Sequence, residues 1–128
     1  MTADGRRPRR VGDLIRAELA RALVRELGDP ALSQAVVTDV TVSDDLSMAR
    51  VGVRLLVDDA DPIRRRELLR ALGRAGGRLR RVVGPAVRLR RTPELRFVYD
   101  TGPDAQRRVE ELLDEIAHEP RSEDDDRE

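Results

Sequence analysis

DPIRRRELLRALGRAGGRLRRVVGPAVRLRRTPELRFVY, residues 61 to 99, holds most of the chain's positive charge and its densest glycine run. Between Pro62 and Arg96, twelve arginines stand against two acids, Glu67 and Glu94, for a local charge of +10. Asp61 is a candidate N-cap, and Pro62 fits the first helical turn, where a missing N–H costs nothing, so a helix is expected to start here. Ile63, Leu68, Leu69 and Leu72 would form its apolar stripe, with Arg64, Arg65, Arg66, Arg70 and Arg74 largely elsewhere. Gly73, Gly76 and Gly77 each cost a helix about 1 kcal/mol relative to alanine, so their clustering predicts a kink or a break. A second short helix would carry Leu79, Val82 and Val83 inward until Gly84 and Pro85 end it. The expected unit is helix, glycine corner, helix, with guanidinium groups on both sides of the corner.

The remainder of the chain offsets this charge. Residues 1–61 carry nine arginines and eleven acids, for −2, and residues 97–128 carry four arginines and twelve acids, for −8. A net charge of zero therefore conceals a polarised molecule. The 128 residues suffice for one domain with a single core, 39% being hydrophobic and another 39% charged. With no cysteine, disulfides and thiolate metal sites are excluded. All 25 basic residues are arginine, which fits either genomic codon bias or a need for bidentate phosphate contacts. Arg6, Arg7, Arg9 and Arg10 are followed by no apolar signal-like segment, and the longest purely aliphatic run is Leu55-Leu56-Val57, so a cytoplasmic protein is expected.

Residues 1–7 read as a disordered basic arm able to touch phosphates, 8–118 as the folded domain, and 119–128 as a disordered acidic tail. Val11, Leu14, Ile15, Leu19, Ala22, Leu23 and Leu27 recur at helical spacing from Pro8 to Leu27. Val36 to Ser43 alternates as a strand, with Val36, Thr38, Val40 and Val42 on one face. Ser43-Asp44-Asp45-Leu46-Ser47 has turn chemistry, and Ala49, Val51, Val53, Leu55 and Val57 then share one face of a second strand, making an antiparallel hairpin. A third strand is expected over Glu94–Asp100, since Pro93 disfavours an earlier start. A last helix from about Gly102 would bury Val109, Leu112, Leu113 and Ile116. The simplest packing is an α+β fold, a three-stranded sheet with helices covering one face.

An ordered set of segments resembles the ribosome-binding factor A family of bacterial small-subunit maturation factors. It comprises Arg10-Val11, Asp29-Pro30-Ala31-Leu32, Thr38-Asp39-Val40, Ser43-Asp44-Asp45-Leu46-Ser47-Met48-Ala49-Arg50-Val51, Leu79-Arg80, Leu89-Arg90 and Pro93-Glu94-Leu95-Arg96-Phe97-Val98-Tyr99-Asp100. The resemblance implies a KH-like fold of type II topology, α-β-β-α-kink-α-β, with an additional C-terminal helix. It also implies that an Ala-x-Gly kink, matched by Ala75-Gly76-Gly77, replaces the G-x-x-G loop of KH modules; Gly73-Arg74-Ala75-Gly76 satisfies that loop pattern as well. The implied partners are the 30S subunit and its 16S rRNA or precursor, with a ribosome-associated GTPase in release. The implied role is assistance in late maturation and 16S rRNA processing, by a monomer, with no membrane and no cofactor.

The residues themselves point to phosphate recognition, because arginine offers a planar fork of donors. Arg74, Arg78, Arg80 and Arg81 are the expected RNA contacts, with Ala75, Gly76 and Gly77 letting backbone approach the strand. Arg64, Arg65, Arg70, Arg88, Arg90 and Arg91 form the wider footprint. Phe97 and Tyr99 are the only aromatics, too few for a stacking platform. Asp44, Asp45, Asp58, Asp59 and Asp61 carry oxygens suited to Mg2+, yet they sit where turns use aspartate, and no lysine, P-loop pattern or nucleophile joins them. No metal site and no enzyme are therefore expected. His118 is read as serving the last helix terminus. A generic single-stranded RNA binder or protein adaptor is the alternative. A helix-turn-helix DNA reader is disfavoured by the shortness of Gly77 to Val83.

Overall fold

The computed structural model describes residues 6–25 and 28–118. Three strands and three helices follow one another as α1 (Arg6–Arg25), β1 (Ala35–Val42), β2 (Met48–Leu55), α2 (Pro62–Val87), β3 (Glu94–Tyr99) and α3 (Pro103–His118). Helix α1 thus takes in Arg6 and Arg7, which the sequence assigned to an arm, and the 119–128 tail lies outside the described residues.

Strand β2 is central because its alternation supplies the most apolar face: Ala49, Val51, Val53 and Leu55 are all 2% exposed or less. Val57, expected on the same face, lies past the strand end and is exposed. β1 pairs with β2 antiparallel, Val37 opposite Val53 and Val42 opposite Ala49. β3 pairs with β2 parallel, Val51 opposite Phe97. A parallel neighbour requires the chain to cross back over the sheet, and α2 is that crossover.

The period of β1 differs from the simple alternation. A bulge between Val37 and Asp39 leaves Thr38 as the extra residue, so Val37 and Val42, with Val40 partly buried, face the core. Thr38 is fully buried, and its hydroxyl donates to Asp100 Oδ2 at 2.7 Å. Gly52 makes that bond possible, since a Cβ there would lie 2.9 Å from Thr38 Oγ1 and 3.0 Å from Asp100 Oδ2.

The core lies between the sheet and two helices. Val11, Ile15, Leu19 and Leu23 come from α1, and Leu68, Leu72, Leu79 and Val83 from α2. Three expected members of these stripes, Leu14, Ile63 and Val82, are exposed instead. Helix α3 packs beside β1 and buries Val109, while Leu113 and Ile116, expected inside, are 42% and 50% exposed. The architecture is α+β and KH-like in its element order.

The glycine corner is absent. α2 is one helix of 26 residues running through Gly73, Gly76 and Gly77, none of which has a positive φ. Its buried residues Leu68, Ala71, Leu72, Ala75, Leu79, Val83 and Val87 keep three- and four-residue steps across all three glycines, so packing holds the helical register where propensity alone would break it. Pro85 lies within the last turn rather than ending the helix. The terminator is Arg88, left-handed at φ 52°, whose N–H donates to Gly84 O at 3.2 Å.

Candidate nucleic-acid interface

An unbroken α2 changes which arginines stand together. Arg66, Arg70, Arg74 and Arg78 recur at strict four-residue steps and are all exposed, outside the helix's buried stripe. At 1.5 Å per residue the row spans about 18 Å. Arg66 was not among the expected contacts, although its four-residue step to Arg70 was readable in the sequence. Ala75, by contrast, is 1% exposed and packs in the core, so it cannot touch a strand lying on this surface.

Toward the C-terminal end of α2 a groove of about 660 Å³ opens between the helix and the α2–β3 loop. Arg80 and Arg81 flank it, and Gly77 and Gly84 leave it open by lacking side chains. The Arg80 guanidinium donates to Thr92 O at 2.7 Å, which ties the loop to the helix. Gly84 permits the same approach, because a Cβ there would meet Thr92 Oγ1 at 2.9 Å. Arg81 Nε donates to Gly77 O at 3.4 Å, leaving the rest of its fork outward. Arg88, Arg90 and Arg91 are exposed on the loop itself. The structure thus gathers Arg74, Gly76, Gly77, Arg78, Arg80 and Arg81 in the second half of α2, beside the loop arginines.

Arg64 and Arg65 are placed elsewhere, in the first turn of α2, about 20 Å along the helix from Arg78. Arg64 reaches Asp58 at 3.8 Å. Arg65 stacks over the Tyr99 ring at 4.5 Å, pairs with Asp59 at 3.6 Å and donates to the Asp59 carbonyl. Asp59 also receives the Tyr99 hydroxyl and, at 2.6 Å, Arg54, while Leu55 N–H donates to Tyr99 at 3.1 Å. Burial works against ionising Asp59, but hydrogen bonds from Tyr99 and Arg54 and the charges of Arg54 and Arg65 outweigh it and lower its pKa. Burial and the bond to Asp59 push the Tyr99 pKa up. Arg65 therefore braces the start of α2 against the sheet.

Asp61 and Asp45 have local work. Asp61 caps α2, accepting from Ile63 N–H at 2.9 Å. Asp45 accepts from both Ser43 and Ser47 hydroxyls at 2.7 Å and from Ser47 N–H at 3.1 Å, and the hydroxyl of Ser47 leads in lowering its pKa to about 2. Among the described residues no three metal-ligating side chains gather at one point. The helix-turn-helix comparison loses its premise, since there is no corner between two helices.

A family profile described as ribosome-binding factor A matches residues 7–113. A ribosome-binding factor A of Sorangium cellulosum is 47% identical over 111 residues, covering 87% of this chain and 89% of that one. Its counterpart from Alkalilimnicola ehrlichii is 42% identical over 127 residues, covering 98% and 95%. The crystal structure of ribosome-binding factor A from Thermus thermophilus superposes with a TM-score of 0.60 at 30% identity, covering 72% of this chain and 94% of that one. With a profile spanning nearly all the described residues and relatives this similar along their length, the chain belongs to the ribosome-binding factor A family.

Proposed function

We propose that this protein binds immature small ribosomal subunits through 16S rRNA and assists the late maturation and processing of that RNA in the cytoplasm, without catalysing a reaction itself. The observation that carries the reading is the exposed arginine row of α2 running into the groove flanked by Arg80 and Arg81. Guanidinium forks at regular steps along a rigid helix suit successive phosphates and carry no base code, so register and affinity come from the RNA backbone. Because α2 has no loop at its glycines, contact runs along the helix rather than through a four-nucleotide clamp at a G-x-x-G loop. The name of the relatives, ribosome-binding factor A, accords with a ribosomal target. Release by a ribosome-associated GTPase and action as a monomer complete the reading.

The test is co-sedimentation with immature small subunits. Arg74→Glu, Arg78→Glu and Arg81→Glu combined are expected to abolish attachment while leaving the circular dichroism spectrum and unfolding midpoint close to those of the parent. Full attachment by the folded triple variant would overturn the reading.

A further inference from the structure

Two basic grooves meet at Leu89, which lines both. The first is the groove beside Arg80 and Arg81. The second, of about 260 Å³, is bounded by the first turn of α1, the β1–β2 turn and the α2–β3 loop, and its arginines are Arg7, Arg90 and Arg91. Three segments far apart in sequence thus converge on it. Its one acid is Asp45, whose Oδ1 is engaged by Ser43 and Ser47 of its own turn rather than by an arginine. Across the two grooves, five arginines stand against this one carboxylate.

The connection between them is held in place. Left-handed Arg88 turns the chain off the end of α2, and the bond from Arg80 to Thr92 O anchors the far side of the loop. The loop therefore presents Arg90 and Arg91 on a fixed path.

We propose that the RNA path does not end with α2: a strand seated on the helix continues over Leu89 into the second groove, where Arg7, Arg90 and Arg91 hold a further set of phosphates. This rests on the reading of α2 as the RNA-binding face. Charge complementarity selects a polyanion, and continuity with the first groove selects the same chain of phosphates over a separate small anion. Arg7 becomes an RNA contact contributed by α1.

Fluorescence anisotropy with labelled single-stranded oligoribonucleotides of about 4 and about 12 nucleotides tests this, the shorter spanning one groove and the longer able to span both. Two variants are compared, Arg7→Gln/Arg90→Gln/Arg91→Gln and Arg74→Gln/Arg78→Gln/Arg81→Gln, all at exposed positions, with folding checked by circular dichroism. The first is expected to weaken the longer RNA at least fivefold and to lower its log-log salt slope by about 2, at ~0.7 per phosphate for three contacts. It should weaken the shorter RNA less than the longer. If the longer RNA keeps its affinity and slope in that variant, while the α2 variant loses binding, the path ends at α2 and only this inference fails. If the α2 variant leaves both RNAs unaffected, the reading of α2 itself fails.

Discussion

Tyr99 joins three elements through one side chain. Its hydroxyl accepts from Leu55 N–H of β2 and donates to Asp59, and its ring carries the Arg65 guanidinium of α2. Tyr99→Phe leaves the Leu55 N–H and an Asp59 oxygen short of a partner, and is expected to cost about 1–3 kcal/mol by urea denaturation with an unchanged m-value. Arg88 presents the opposite case. A non-glycine residue in the left-handed region is disfavoured by about 1–2 kcal/mol, partly offset by glycine's greater freedom when unfolded. Arg88→Gly should therefore raise stability by roughly 0.5–1 kcal/mol while weakening RNA binding, a pairing expected only if the side chain is kept for contact. Asp45 sets a pH dependence. Its folded pKa, about 2, lies below the ordinary 3.8, so its contribution is present above pH 3.8 and is lost as pH falls toward 2. Asp45→Asn should flatten the stability profile across that window, measured as the denaturation midpoint against pH.

At the scale of the element, α2 shows how packing overrules propensity. Asp61 and Pro62 announced its start correctly, because capping is local chemistry. Its middle was misread, because three glycines together cost about 3 kcal/mol of helix propensity and nothing local offsets that. What offsets it is the buried stripe through Leu72, Ala75 and Leu79, all 1% exposed or less, whose partners are on α1 and the sheet. A Cβ at Gly73, Gly76 or Gly77 would meet nothing within 4 Å. Each Gly→Ala change is accordingly expected to stabilise the protein by up to about 1 kcal/mol, read by thermal or urea unfolding. A loss of stability at any of them would mean that the helix bends there in solution. The bulge at Thr38 is a similar case: alternation put Val36 inward, but the buried bond from Thr38 to Asp100 shifts the register by one residue.

For the whole molecule, zero net charge is a poor guide to behaviour. The exposed arginines of α2 and its following loop oppose an α3 bearing Glu110, Glu111, Asp114 and Glu115, all exposed. RNA affinity should therefore be strongly salt-dependent despite the balanced composition. Four to six phosphate contacts at ~0.7 each predict a log-log slope of about −3 to −4. Titration over a range of monovalent salt checks this, and a slope near zero would remove phosphate contact as the source of affinity.

Local spacing and composition were enough to place the three strands in order, the cap that starts α2, the inward face of β2 and the concentration of arginine between Pro62 and Arg96, because each rests on a few neighbouring residues. It took the packed fold to make α2 continuous, to join Arg66 to the row ending at Arg78, to set Arg65 against Tyr99, and to bring Arg7 beside Arg90 and Arg91. The reason is the range of the forces involved. Caps and alternation act between neighbours, whereas helix continuity across three glycines and the meeting of distant arginines depend on what the sheet and the other helix bury.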